Sequence, residues 1–162
     1  MSDSKPRPGQ VAPEFSGTLV EPGGNCREVT LGDFRGKRVA LVFYPKDATP
    51  GCTSQACALR DGWGDLQGRV EVIGVSVDSA RSHSRFISKQ SLPYPLLVDE
   101  DRAVVEAYGV WVEKKMYGRS FMGTERSTFL IGPDGKIEAV LEKVKPAEHL
   151  EGLLAVLAAA ES

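Results

Sequence analysis

Val39-Ala-Leu-Val-Phe-Tyr44 is an unbroken apolar run, with Lys37 and Arg38 before it and Pro45 after it. Such a run suits a strand covered on both faces, which places it centrally in an α/β sheet. The loop Pro45-Lys-Asp-Ala-Thr-Pro-Gly51 follows, and then Ala56, Leu59, Trp63 and Leu66 recur at steps of three and four, the period of a helix. A short loop carrying a strand directly into a helix puts the helix N-terminus beside the strand's carboxyl end, where open α/β sheets usually bind ligands. Cys52 stands at that helix start.

Working outward, Val70 to Val77 reads as a Val-rich strand, Arg81 to Lys89 as a helix, Tyr94 to Val98 as a short strand and Asp101 to Tyr108 as a helical stretch. Gly109 suits the left-handed turn after that helix. Downstream, Ser127 to Ile131 and Lys136 to Leu141 flank Gly132-Pro-Asp-Gly135, a hairpin signal. Ala147 to Ala160 closes the chain as an amphipathic helix, with Leu150, Leu153, Leu154 and Leu157 on one face. Upstream, Phe15 to Val20 and Arg27 to Leu31 flank Glu21-Pro-Gly-Gly-Asn25, which predicts an N-terminal β-hairpin after an extended Pro-rich lead-in. The order is a β/α half followed by a ββα half, so the fold class is α/β, a central mixed β-sheet flanked by helices on both faces.

The 162 residues fit one compact unit at roughly 100–200 residues per domain. Twenty basic against 22 acidic residues, with 41% hydrophobic, exclude a disordered chain. No stretch gathers Lys and Arg into the stripe that phosphate recognition requires, which argues against nucleic acid as a partner. No run approaches the ~18–20 apolar residues that cross a bilayer, and Met1-Ser-Asp-Ser-Lys-Pro-Arg-Pro8 lacks the apolar stretch of a secretory signal. The expectation is a cytoplasmic protein with no membrane contact.

Three cysteines, Cys26, Cys52 and Cys57, are odd in number and too few to staple a domain of this size. A cysteine can be merely a small buried hydrophobe. At a helix start, however, unpaired N–H groups and the positive end of the helix dipole favour a thiolate and so a nucleophile. Cys57 follows Cys52 by five residues on the same predicted helix, an axial advance of about 7.5 Å. Disulfides need Cα atoms within about 7 Å, so a bond between them, if it forms, requires at least the first turns of the helix to unwind. The spacing is not the Cys-x-x-Cys of thioredoxin-type reductases. A structural zinc site is disfavoured because the three cysteines, His83 and His149 are scattered, and no metal or other cofactor is expected. Nucleotide loops and the Gly-x-Ser-x-Gly elbow are also missing.

Phe43-Tyr-Pro-Lys-Asp-Ala-Thr-Pro-Gly-Cys-Thr-Ser-Gln-Ala-Cys-Ala-Leu-Arg-Asp61 resembles the active-site segment of the peroxiredoxins, with their Pro-x-x-x-Thr-x-x-Cys signature at Pro45, Thr49 and Cys52. The position of Cys57 is similar to that in the peroxiredoxin Q or bacterioferritin comigratory protein subgroup. Ala12-Pro-Glu-Phe15, Gly109-Val-Trp-Val-Glu113, Met116-Tyr-Gly118 and Glu125-Arg-Ser-Thr-Phe-Leu-Ile131 extend the resemblance over nearly the whole chain.

The resemblance implies a thioredoxin-like fold over a single domain, residues 1–162, and a thiol peroxidase that reduces hydrogen peroxide and alkyl hydroperoxides. Carried over by position, Cys52 is the peroxidatic cysteine, Cys57 the resolving one, Arg126 the active-site arginine, and Pro45 and Thr49 complete the pocket. The implied partners are a thioredoxin or glutaredoxin-type reductant, and the implied state is a monomer, with a weak dimer as the alternative. Cys26 has no motif around it and reads as structural, with a backup resolving thiol as the minority reading. Trp111, Tyr117 and Met122 read as packing residues, with the rim of a hydroperoxide pocket as the minority reading. A thiol–disulfide oxidoreductase acting on protein disulfides and a redox-regulated binding module, exposing Ala56, Leu59 and Trp63 on unwinding, are the competing functions. Gly62 and Gly64 would soften such a helix, each at up to about 1 kcal/mol relative to Ala.

Overall fold

Residues 5–162 are described by the structure, a computed structural model; Met1 to Ser4, the start of the lead-in, lie outside the described residues. Strand β3 (Val39–Phe43) is buried at every position, as its unbroken apolar run requires. It pairs in parallel with β4 (Glu71–Ser76) and antiparallel with β8 (Ser127–Ile131). With β1 (Ser16–Val20), β2 (Cys26–Thr30), β5 (Leu96–Val98) and β9 (Ile137–Leu141), they form one mixed sheet in the order β2-β1-β5-β4-β3-β8-β9. The N-terminal and the Gly132–Gly135 hairpins are both present, as β1-β2 and β8-β9. The expected strand at Tyr94 starts two residues later, because Pro95 has no N–H to give the ladder.

Alternation along the strands divides the interior in two. Val39, Leu41, Phe43, Ile73, Val75, Phe129 and Ile131 face one core, closed by Phe15, Phe34 and helix α3 (Ala103–Ala107). Ala40, Val42, Val72 and Leu130 face the other, closed by α1 (Pro50–Asp61), α2 (Ala80–Gln90) and α4 (His149–Glu161). Helices therefore cover both faces, as expected.

The helix after β3 departs from its sequence reading. It ends at Asp61, where the Gly62 N–H closes onto the carbonyls of Ala58 and Arg60. Trp63 lies in a separate 3₁₀ turn, Trp63–Asp65, and Leu66 beyond it is fully buried. Gly62 is not a soft point inside the helix: a Cβ there would fall 2.6 Å from Leu150 Cδ2, so glycine is what lets α4 approach. Gly64 likewise lies outside the helix.

Two further differences matter. Helix α3 is shorter than expected because Asp99 caps it, its carboxylate accepting the N–H groups of Val104 (3.0 Å) and Val105 (2.8 Å). Gly109 takes the expected left-handed turn, φ +69°. The segment after it carries an unpredicted hairpin, β6 (Trp111–Met116) and β7 (Arg119–Thr124), a two-stranded sheet of its own. Tyr117 and Gly118 turn it with φ of +53° and +77°, the geometry of a two-residue hairpin loop.

Candidate active site

The loop from β3 to α1 is held from below by a buried polar cluster. The Asp47 carboxylate accepts hydrogen bonds from the Tyr44 hydroxyl (2.6 Å) and the Ser82 hydroxyl (2.8 Å), and lies 2.7 Å from His83 Nδ1. The other His83 ring nitrogen faces the Leu97 carbonyl at 2.9 Å. The Asp47 N–H donates to Asp78 (2.8 Å), whose carboxylate also takes the Ser76 hydroxyl. Helix α2, braced on β5, and Asp78 just after β4, braced on Ser76, thus grip one residue of the loop. Ala48, next in line, sits at φ +63°, a conformation a non-glycine residue holds only when its surroundings enforce it.

From this base the chain enters α1. Thr49 is the N-cap residue in extended conformation, and Pro50 takes the first helical position, where its missing N–H costs nothing. Cys52 is the third helical residue and is 2% exposed. Thr49 does not cap the helix with its side chain; its hydroxyl donates to the Lys46 carbonyl at 2.8 Å. Pro45, half-buried, leaves the end of β3 and opens the loop.

Arg126 arrives from the segment between β7 and β8. Its Nη1 donates to Gln55 Oε1 at 2.6 Å and reaches Cys52 Sγ at 3.4 Å. The structure therefore brings Arg126 onto Cys52, although 74 positions separate them in the chain. Gln55 was not singled out in the sequence; it lies one helical turn after Cys52 on the same face, and that spacing was the available signal. It is 2% exposed, and its Nε2 has no hydrogen-bond partner among the described residues. Val42, Tyr44, Cys52, Gln55, Ala56, Phe86 and Tyr94 enclose a small cavity of about 10 Å³ against the sulfur. Asp47 and His83 were likewise missed as loop anchors, since nothing in their spacing announces the contact.

The other cysteines are placed differently. Cys57 lies on α1 with its thiol directed away to Gln90 Oε1 on α2, at 3.3 Å. Cys26 opens β2 and is exposed, so it is not the small buried hydrophobe a structural reading implies. All three are free thiols. Of the residues weighed as a pocket rim, Tyr117 is 96% exposed at the hairpin tip and Met122 is exposed, while Trp111 packs against the core under Arg102. His149 is buried, with Nε2 2.7 Å from the Thr128 hydroxyl; burial, and then the Arg126 charge, push it down to about 4.

A sulfur beside a fixed guanidinium at the start of a helix can carry negative charge and attack an electrophile, the guanidinium offsetting the cost of its burial. The same guanidinium can donate to an oxygen that leaves with negative charge. Among the described residues no group of His, Cys, Asp and Glu could hold a metal ion.

Residues 8–140 match the AhpC/TSA family. The chain is 48% identical over 143 residues to a putative peroxiredoxin of Coxiella burnetii, covering 88% of this chain and 92% of that one. It is 45% identical over 147 residues to the peroxiredoxin Bcp of Escherichia coli, covering 90% and 92%. Among solved structures, the bacterioferritin comigratory protein of Xanthomonas campestris, described for its alkyl peroxide reduction activity, superposes with a TM-score of 0.82 at 37% identity over 91% of this chain and 92% of that one. PrxQ of Xylella fastidiosa superposes with a TM-score of 0.83 at 34% identity, covering 98% and 99%. With the family matched from residue 8 to 140 and relatives at 45% and 48% identity, the chain belongs to the AhpC/TSA family as a peroxiredoxin, a thiol peroxidase on the thioredoxin-like fold.

Proposed function

We propose that this peroxidase reduces hydrogen peroxide and alkyl hydroperoxides through Cys52, resolves through Cys57, and is regenerated by a dithiol of the thioredoxin or glutaredoxin type. The observation that carries the reading is the Arg126 guanidinium, fixed by Gln55 at 2.6 Å and placed 3.4 Å from the Cys52 sulfur. The Cys52 thiolate attacks one peroxide oxygen, the O–O bond breaks, and the second oxygen leaves as water or an alcohol after taking a proton. Arg126 donates to the leaving oxygen. The Thr49 hydroxyl, its own proton committed to Lys46, offers lone pairs to the peroxide hydrogen. Pro45 offers no N–H to draw water to the sulfur. Cys52 sulfenic acid then condenses with the Cys57 thiol, releasing water and forming a disulfide. The dithiol reduces that bond by exchange and is itself oxidised.

In this reading the enzyme works in the cytoplasm as a single-domain monomer, since both sulfurs belong to one helix of one chain. Among the described residues no helix is long and apolar enough to cross a membrane. The test adds one equivalent of hydrogen peroxide to reduced protein, alkylates the remaining thiols and maps all three cysteines by peptide mass. A Cys52–Cys57 linkage with Cys26 alkylated is the expected result. Cys57→Ser should consume one equivalent, stop at sulfenic acid and fail to turn over with thioredoxin; full turnover in that variant removes Cys57 from the mechanism.

A further inference from the structure

Arg126 follows the β6-β7 hairpin by two residues, so its aim depends on how that hairpin delivers the chain. The peptide between Thr124 and Glu125 is held on both sides. The Glu125 N–H donates to the Val110 carbonyl at 2.7 Å, and the Thr124 carbonyl accepts from Lys114 Nζ at 2.6 Å. Lys114 reaches it from the opposite strand. It pairs with Phe121, so its stem runs diagonally across Gly123 on the same face. A Cβ on Gly123 would lie 3.3 Å from Lys114 Cδ and 3.4 Å from Cε, so the missing side chain is the channel in which the lysine lies.

We propose that Lys114 is a positioning residue of the peroxidase site, clamping the Thr124–Glu125 peptide so that the Arg126 guanidinium meets the Cys52 sulfur. The proposal rests on the assignment of Cys52 and Arg126 made above. A half-buried ammonium bonded to a carbonyl is a charge-assisted clamp, stronger than a neutral hydrogen bond. Burial, and next the Arg126 charge, pull the Lys114 ammonium below its ordinary range, while Cys52 and Glu125 act against that, so its charge lies within reach of the site. The downstream side of Arg126 is fixed separately, its carbonyl accepting the Val144 N–H at 2.8 Å. The Glu125 side chain is held as well, by the Ser127 hydroxyl at 2.6 Å and by Lys5, but Lys114 is the side chain that bonds the peptide itself, and a substitution can remove it.

Lys114→Met keeps the stem and removes the clamp. The expected result is a fall of about tenfold in the rate at which Cys52 consumes hydrogen peroxide, the size set by one charge-assisted bond. The ultraviolet thiolate absorbance of Cys52 should also titrate at more alkaline pH. Lys114→Arg, which retains a charged donor, should recover most of the rate, and Gly123→Ala, which crowds the stem, should fall between. An Arg126→Met comparator separates the two readings. If that variant keeps the native rate, the site assignment fails; if it is slow while Lys114→Met and Gly123→Ala keep both rate and titration, the Lys114 proposal alone is overturned. A slow Lys114→Met whose loss follows a lowered melting temperature, with an unmoved thiolate titration, also overturns it.

Discussion

Helix α1 is held in different ways at its two ends. At its start, Cys52 is 2% exposed, Gln55 and Arg126 lock together beside it, and the loop before it is gripped through Asp47 by Tyr44 just after β3, Asp78 just after β4, and Ser82 and His83 of α2. At its far end, Cys57 and Arg60 are half-buried and share one polar partner: the Cys57 thiol donates to Gln90 Oε1, and Arg60 Nη1 donates to the Gln90 carbonyl at 2.8 Å. Apolar packing completes that end, through Leu59 and the stack of Trp63 on Tyr94. The peroxide step needs fixed charge around one sulfur. The resolving step needs the second sulfur to close a gap of about 7.5 Å along an intact helix. A mount built from buried charges is costly to break, whereas exposing one leucine costs about 1.5–3 kcal/mol. The difference predicts that the Cys57 half travels and the Cys52 half stays, where the spacing alone pointed to the first turns of the helix.

The largest effect should come from the buried base of the fixed end. Asp47→Ala leaves the Tyr44 and Ser82 hydroxyls and His83 Nδ1 without their shared buried acceptor, and each buried polar group so stranded costs about 1–3 kcal/mol. Denaturant unfolding should register that loss. Tyr44→Phe, which removes one neutral donor to the same carboxylate, should cost about 1 kcal/mol. Equal losses would mean that the cluster holds the loop by packing and not by charge.

Next in size is the charge at the sulfur itself. Arg126→Met should lower the second-order rate with hydrogen peroxide by about 10²–10³, the loss typical of removing one donor to a developing oxyanion. Single-turnover kinetics in a Cys57→Ser background isolates this step. The rate there should equal that of native protein, because the far end of the helix takes no part in it. A slow Cys57→Ser single turnover would tie the two ends together and break the contrast.

A third effect concerns pH. His149 begins α4, beside the start of α1, and in the folded chain it protonates only near 4. Between pH 6.5 and 4 the unfolded chain binds a proton that the native chain refuses, so stability falls as pH falls, by up to about 3 kcal/mol across the window. Asp99 works in the other direction. Burial pushes it up to about 6, so between roughly 3.8 and 6 the native chain holds the proton more tightly and stability falls as pH rises. The two partly cancel in the native protein. The difference in unfolding free energy between native protein and His149→Gln isolates the first, and it should grow as pH rises from 4 to 6.5. A flat difference would mean that His149 titrates alike in both states.

Much of this was legible in the chain. The run at Val39 gave the central strand because both its faces are covered, and Pro45 and Thr49 belong to one short loop that leads into the helix start where Cys52 stands. Arg126 was legible only through resemblance, since the contact that brings it onto Cys52 crosses from a different strand. The β6-β7 hairpin was hidden because Glu113, Lys115 and Arg119 break any apolar alternation, so the strands stand clear of the main sheet. Gln55 and Asp47 were hidden for a related reason: a buried polar residue signals its role only through its partners, and those come from distant segments. Trp63 and Leu66 misled in the opposite way. They continue the helical period past Asp61, but the fit of Gly62 under Leu150 ends the helix, and the period persists without it.

The smallest effect, and the sharpest test of the contrast, lies at Gln90. It makes the one side-chain hydrogen bond to Cys57 among the described residues, and such a bond is worth about 0.5–1.5 kcal/mol. If it restrains the mobile half, Gln90→Ala should speed disulfide formation from the sulfenic acid by about 2–10-fold, followed by quenched thiol labelling after a single peroxide addition. The peroxide step should be unchanged, and less Cys52 should reach sulfinic acid under excess peroxide, since faster condensation shortens the life of the oxidisable intermediate. Slower resolution would reverse the assignment: Gln90 would then be aiming the Cys57 sulfur at its target, and the far end of α1 would be as preorganised as the near one.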